Sequence, residues 1–462
     1  MTTAERFDVV VVGARCAGAA LATHLTHAGC SVVVLEAATL SSNQPASTHL
    51  VQPPGMDELD RLGAGDAVRA LAPALHSIHM EFDGRATRFS YGPGRAAHCL
   101  RRDALDGRLQ DAAREAGARL VGRTRVVAVV RDRDGSVAGV ETRSHDGERG
   151  RFLAPLVVGA DGRNSTVAKL VGAPEYLGYD APRGCYWTYW RRLPGCDPHV
   201  ILNCFLDDHA RIVFPADGGL LLVGTAPPVD RARAWQRDHT AAYLADVRSD
   251  PTIAPLLDSS GPVAPVRGVV HNRYFFRQSA GRGWALVGDA GHHKDFVIGL
   301  GISDALRDAR SLAEAVVAGG APSMERYWRG RDAARLELFL WSGDLGAADR
   351  VNGLERLVGE RASHVRGLHA RLGAVIDGRL SPYALIPAPT ALRWATAALV
   401  RGHLEPVHEL ARTARRRAHA RRQLARAGRL VRRAASGSIP GSGPTSGSGE
   451  TRCVEHVAQA AH

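Results

Sequence analysis

Three clusters of residues carry types and spacings that can do chemistry. The first is Gly13-Ala14-Arg15-Cys16-Ala17-Gly18, followed by Glu36. A glycine turn that opens a helix offers free N–H groups and a partial positive charge to a pyrophosphate. An acid about twenty residues on can accept from a ribose hydroxyl. Gly13 and Gly18 keep the first and third glycines of G-x-G-x-x-G, for the tight turn and for close helix packing. Arg15 replaces the second glycine and crowds the approach unless its side chain points away. The second cluster is "GDAGHHKDFVIGLGISDALRDA", Gly288–Ala309, with paired histidines and Lys294, one of only two lysines beside Lys169. The third is Ser47-Thr48-His49. With a near-neutral pKa, His49 suits a general base or a substrate hydrogen-bond donor; the alternative is a histidine that fixes its loop.

Elements that must position these residues are readable. Phe7–Val12 is a short β-branched run, Ala19–Ala28 is helix-compatible and Ser31–Leu35 is a second strand, together a βαβ unit. Met80–Tyr91 reads as a hairpin about Asp83-Gly84, and Asp103–Ala118 as a helix. Pro155–Ala160 and Trp284–Gly288 are further strands, and Ile302–Ala318 is a helix. Between them Cys185–Gly224 holds aromatic-rich short strands, predicting a mainly antiparallel inserted sheet. Trp187 and Tyr189 alternate with Tyr186, Thr188 and Trp190. One face is expected to line a substrate cavity suited to a flat or polycyclic ligand. The other is expected to meet the C-terminal helices or solvent. Residues 322–433 look largely helical, and "SGSIPGSGPTSGSGE" is a flexible tail. No internal repeat is found.

Composition narrows the class. The net charge is +12, but Arg412–Arg433 holds ten arginines and no acid, so the remainder stands near +2. This weakens the case for a nucleic-acid-binding enzyme. The segment reads as a solvated helix whose arginines partly pair with acids of the main body. Its apolar stripe is thin for membrane insertion. Seven cysteines without a C-x-x-C give no basis for zinc or a redox dithiol, so no metal is expected. Cys16 reads as a packing residue. No eighteen-residue apolar stretch appears, so no membrane span is expected, and the N-terminus lacks signal-peptide features. The expected location is cytoplasmic. Nothing in the sequence specifies an oligomeric state.

"GADGRNSTVAKLVGA", Gly159–Ala173, resembles the A-D-G-x-x-S-x-V-R segment of flavoprotein hydroxylases. "GDAGHHKDFVIGLG" resembles their G-D-A-A-H-x-x-x-P-x-x-G-x-G signature, and "RRDALDGRL" their R-x-x-L-D helix start, with Arg102 in the arginine position. Over about residues 5–320 the chain resembles the para-hydroxybenzoate-hydroxylase-like FAD-dependent monooxygenases. "STHLVQPPG" and "GHHKD" look like a bacterial FAD-dependent oxidoreductase branch.

The resemblance implies an α/β fold: a Rossmann-like FAD-binding domain, an inserted antiparallel-sheet substrate domain and a C-terminal helical region. The expected divisions are 1–175 (FAD-binding, first part, with the hairpin near 80–91 lent to the substrate sheet), 176–264 (substrate), 265–345 (FAD-binding, second part), 346–433 (helical) and 434–462 (tail). It implies FAD held by Gly13, Arg15, Gly18, Glu36, Arg102, Asp161, Asp289, Gly299 and Gly301, with NADPH or NADH as a transient co-substrate. No second dinucleotide fingerprint is present. His292 falls on the motif histidine, whose role is structural, and His293 is the candidate to face the cavity. Lys294 either adds charge near the flavin's N1–C2=O edge or near NADPH, or is a solvated surface lysine. Phe296 stands where the family has proline, beside the site of oxygen reaction, and Ser303 replaces the asparagine of G-x-N.

The reaction implied is NAD(P)H-dependent oxygenation of an aromatic or polycyclic small molecule by molecular oxygen through a flavin C4a-hydroperoxide. The Arg-, Ala- and Gly-rich composition suits a GC-rich bacterium and secondary metabolism. The second reading, favoured by Phe296, is an FAD-dependent reductase or dehydrogenase on a polycyclic or lipid-like substrate. A third, a non-catalytic flavin-binding or nucleic-acid-associated protein, has only the arginine-rich segment behind it. The tryptophan-halogenase motif W-x-W-x-I-P is absent.

Overall fold

A computed structural model describes residues 4–41, 49–82, 85–206, 208–347, 365, 367–402 and 404–436. Ser47, Thr48, the Asp83-Gly84 turn and the glycine- and serine-rich tail from Gly437 lie outside the described residues.

Val9–Val12 and Val32–Leu35 are buried on both faces, as β-branched runs in a covered parallel sheet must be. They pair in parallel with Val9 opposite Val32 and Val12 opposite Leu35. Leu156–Gly159 joins on the other side, then Trp284–Leu286, with Arg119–Val121 beyond Val32–Leu35. Helices Cys16–His27, Arg102–Glu115 and Gly301–Ala318 bury their small and aliphatic side chains against one face of this sheet. The other face packs on a four-stranded sheet that includes Thr124–Arg131 and Val137–Ser144, and on the short helix Thr166–Val171.

A second, seven-stranded sheet runs Arg267–Val269, Cys185–Arg191, Leu220–Ala226, His209–Ala216, Val200–Leu206, Ser77–Phe82, Arg85–Ser90. Ser77–Phe82 and Arg85–Ser90, from an earlier part of the chain, pair with each other and with Val200–Leu206 in this sheet. One pairing departs from the antiparallel expectation: Val200–Leu206 runs parallel to Ser77–Phe82. The hairpin arrives from a distant stretch of chain, so no tight turn imposes an antiparallel sense.

The alternation along Cys185–Arg191 is as expected. Trp187 and Tyr189 join a cluster with Leu50, Ile212 and Phe214. Tyr186 and Trp190 join Tyr243, Val247 and Ala232 on the other side. What covers that second face differs from the expectation. It is not the C-terminal helices but the local pair Val229–Trp235 and His239–Ser249. The Trp190 Nε1–H donates to the Tyr243 hydroxyl at 2.9 Å, which satisfies a buried indole from within the same unit.

Beyond Ala318 the described residues are largely helical, as read for 322–433. Gly320–Leu345 is a 26-residue helix, followed among the described residues by Leu368–Ile376, Ala388–Val400 and Glu405–Ser436. The last carries the arginine-rich segment. Arg416 pairs with Asp344, and Arg417 and Arg421 pair with Glu337. Ala420 is buried, and Leu424 packs beside it on Leu336, Phe339 and Leu340.

Candidate active site

The turn between Val12 and Cys16 is tight because Gly13 sits at φ +105°, and a Cβ there would lie 2.5 Å from the Ala160 carbonyl oxygen. At Gly18 a Cβ would lie 1.8 Å from the Gly13 carbonyl oxygen, so only glycine lets this helix begin so close to the strand. No side chain caps the helix at Arg15, and Arg15, Cys16 and Ala17 at its start border a cavity. Glu36 is buried at the end of its strand. Its carboxylate accepts from the Ala14 N–H at 2.9 Å and the Ala38 N–H at 3.0 Å.

This turn forms one end of a cavity of about 360 Å³. Its walls include Arg15, Glu36, Arg102, Asp161, Asp289, His293, Lys294 and Phe296. The cavity is also bordered by Gly299, in the left-handed region at φ +62°, and by Gly301, where a Cβ would meet nothing within 4 Å. Gly301 opens a second helix with no side-chain cap. One cavity therefore spans two uncapped helix N-termini.

Gly18 lies just behind the wall; the other cofactor residues expected from sequence all border the cavity. Their side chains differ in how free they are. Arg102 is buried, and its Nη2 donates to both carboxylate oxygens of Asp106 at 2.7 and 3.0 Å. Its Nε, like that of Arg15, is buried without a hydrogen-bond partner. Asp161 accepts from the Ser165 hydroxyl at 2.5 Å and from the Thr166 N–H at 2.7 Å, so its carboxylate caps the Thr166–Val171 helix. Asp289 is half exposed. Partial burial raises its carboxyl, but His293, Lys294 and Arg163 outweigh this and hold it below the usual carboxylate range. Cys16 is a buried packing residue, its thiol 3.2 Å from Asp106 and pushed up by burial.

The three catalytic candidates divide. His293 Nδ1 lies 3.3 Å from Asp289 and Nε2 lies 3.2 Å from the Asn272 side-chain oxygen. His292 is buried and stacks on Phe276 at 4.4 Å, and burial holds its pKa well below the ordinary value, in keeping with a structural role. Phe296 borders the cavity and also packs on the aromatic cluster of the second sheet. His49 is outside the cavity wall, next to Leu50, which is in it. It adopts φ +61°, rare for a non-glycine residue, and its Nδ1 is hydrogen-bonded to the Tyr189 hydroxyl. The rings stack at 5.8 Å.

Lys294 is not a solvated surface lysine. Its side chain is 4% exposed and its ammonium contacts the Asp304 carboxylate. Arg307 contacts the same carboxylate, and Arg335 lies 3.6 Å from it. Burial, with Arg307 adding repulsion, draws Lys294 down to about 7. Sequence reasoning missed Asp295, Asp304 and Asp308, all buried in this wall. Burial lifts Asp295 to about 6 and raises Asp308 as well. The available signal was Asp304 and Asp308, four apart on a helix that faces the motif loop. Among the described residues, no cluster of His, Cys, Asp or Glu could hold a metal ion.

A glycine cradle, two uncapped helix ends and unpartnered guanidinium nitrogens, all bordering one cavity, suit an adenine dinucleotide carrying a flavin. The fold and site define an FAD-dependent oxidoreductase. The chain belongs to the FAD_binding_3 family, the FAD binding domain, whose model matches residues 6–323. It is similar to a menaquinone reductase of Mycobacterium tuberculosis, 30% identical over 365 residues, covering 72% of this chain and 84% of that one. It is also similar to the ubiquinone hydroxylase UbiL of Rhodospirillum rubrum, 28% identical over 356 residues, covering 69% and 75%. Among solved structures, a flavoprotein/dehydrogenase from Cytophaga hutchinsonii shares the fold with a TM-score of 0.72 at 17% identity, over 81% of this chain and 93% of that one.

Proposed function

We propose that the chain is an NAD(P)H-dependent FAD monooxygenase that oxygenates a flat aromatic or polycyclic small molecule. The observation that carries the substrate class is the position of Phe296, between the cofactor cavity and the aromatic sheet face. It lies in the wall of the cofactor cavity and at the edge of the Trp187–Tyr189 aromatic cluster, so a ring held on that face is adjacent to the reacting end of the cavity. The residues lining this cavity would hold FAD, which would supply hydride acceptance from a nicotinamide and the reaction with dioxygen.

The protein's own residues do the rest. The Gly13–Gly18 turn and the N-terminus of Cys16–His27 receive the pyrophosphate, and Glu36 the ribose. Asp289, steadied by His293, borders the middle of the cavity. The N-terminus of Gly301–Ala318, with Lys294 behind it, favours negative charge at the ring end. The aromatic sheet face orients the substrate and excludes water. His49, positioned by Tyr189, is the candidate to hold a proton at the substrate's edge.

A second reading is reduction without oxygen insertion. Phe296, where the family has proline, favours it by filling space that oxygen would use. The likeness to a menaquinone reductase supports it, and the likeness to a ubiquinone hydroxylase supports the first. Quinone-type rings fall within the substrate class of either. NAD(P)H oxidation followed across aromatic, polycyclic and quinone compounds, with oxygen present and removed, separates the two. Substrate-stimulated consumption that stops without oxygen is expected; turnover that persists anaerobically supports reduction.

A further inference from the structure

Five of the eight large apolar side chains that stand exposed among the described residues fall between Leu392 and Leu410: Leu392, Leu399, Val400, Leu404 and Leu410. Leu392 is 69% exposed and Val400 83%. Helix Ala388–Val400 explains the direction. Trp394 and Ala398 are buried and seat it, and Trp394 packs with Phe89 and Leu368. Leu392 and Leu399, seven apart, therefore share the outward side. Arg393 and Arg401 flank them, exposed.

The following helix is fastened on one side only. Arg416, Arg417 and Arg421 pair with acids of Gly320–Leu345, and Ala420 and Leu424 pack beneath them. Arg415, Arg422 and Arg426 are exposed. Their spacing of seven and four puts them along one stripe, and they make no ion pair with a described residue.

We infer that the C-terminal helices, Ala388–Val400 with the Arg415–Arg426 stripe of Glu405–Ser436, form a docking surface for an anionic lipid bilayer. Charge complementarity selects this occupant. A second copy of the chain would set two arginine-rich helices against each other. A nucleic acid would satisfy the arginines through its phosphates but leave Leu392, Leu399 and Val400 in water. A bilayer surface accepts both, apolar side chains at the headgroup boundary and arginines on anionic lipids. No helix among the described residues is long and apolar enough to cross a membrane, so the contact is peripheral. It does not rest on the reaction proposed above.

The test is sedimentation of the full-length, FAD-loaded protein with vesicles of phosphatidylcholine, with and without phosphatidylglycerol, across a salt series and without substrate. The protein is expected to bind the anionic vesicles, to leave them as salt rises, and to ignore the neutral ones. Arg415→Gln/Arg422→Gln/Arg426→Gln is expected to weaken partitioning by about fivefold per charge. Leu392→Ser/Leu399→Ser/Val400→Ser is expected to weaken it by about tenfold or more. In both, flavin absorbance and melting temperature stay at the parent values, since the replaced side chains are exposed. Any of four results overturns the inference: no binding to anionic vesicles, full binding by the Leu392/Leu399/Val400 variant, displacement from the vesicles by duplex DNA, or a dimer in size-exclusion chromatography that this variant abolishes.

Discussion

Lys294 and Asp304 meet, both buried, in the wall of the candidate cofactor cavity, joining the motif loop to the first turn of the Gly301–Ala318 helix. Asp304 is held from three sides, by Lys294, Arg307 and Arg335. An acid in a helix's first turn is favoured by the helix dipole, so the pair fixes the loop against the helix end.

The burial of Lys294 gives a pH signature. Burial brings Lys294 to about 7 from an ordinary 10.5. Between these values the unfolded chain binds more protons than the folded one, so stability rises with pH across that window. Lys294→Met is expected to flatten this rise while Arg307 and Arg335 still neutralise Asp304. Melting temperature measured from about pH 6.5 to 10 checks it; parallel profiles for parent and variant contradict it.

Glu36→Ala is expected to weaken FAD binding by about 1.5–3 kcal/mol, the scale of a charged hydrogen bond. The same carboxylate also accepts from the Ala14 and Ala38 N–H groups, so the turn loosens with it. Titration of apoprotein by flavin fluorescence reads the change. The flavin released on denaturation is expected to be FAD; FMN, or unchanged affinity, counts against the assignment.

Phe296 is the first residue of a short helical turn capped by Asp295, a position that proline accepts without a lost helical hydrogen bond. Phe296→Pro is expected to speed reoxidation of the reduced flavin by oxygen, read by stopped-flow absorbance. Superimposable traces would show that its side chain does not limit oxygen access.

Tyr189→Phe removes the hydroxyl that meets His49 and leaves the ring packing in place. The expected stability loss is about 0.5–1.5 kcal/mol. If His49 carries a proton at the substrate, the pH profile of turnover also shifts. A stability loss with an unmoved profile leaves His49 a loop-fixing residue.

Much of this was legible in the residues because the signals are local. Val9–Val12, Gly13 and Gly18 define a strand, a turn and a helix start within ten positions, and the Gly299–Gly301 loop is equally compact. Alternation along Tyr186–Trp190 separated the two sheet faces correctly. The missing parts depend on long-range contacts. Val200–Leu206 pairs in parallel with a hairpin from far earlier in the chain, and no local pattern specifies that partner. Lys294 reads equally as a charge near the flavin edge or as a surface residue until Asp304 and Arg307 are folded onto it. The side chains of Asp161 and Glu36, expected to face ligand, also hold backbone N–H groups, which spacing alone does not show. The outward leucines of Ala388–Val400 become visible only once Trp394 has fixed which side is buried.

The most direct test of the central claim is turnover under ¹⁸O₂ with NAD(P)H and a substrate found by the consumption screen, followed by mass spectrometry of the product. The account predicts one ¹⁸O atom in the product and no product when oxygen is excluded. A product that gains two hydrogens and no ¹⁸O, formed equally well without oxygen, would contradict it and identify the protein as a reductase.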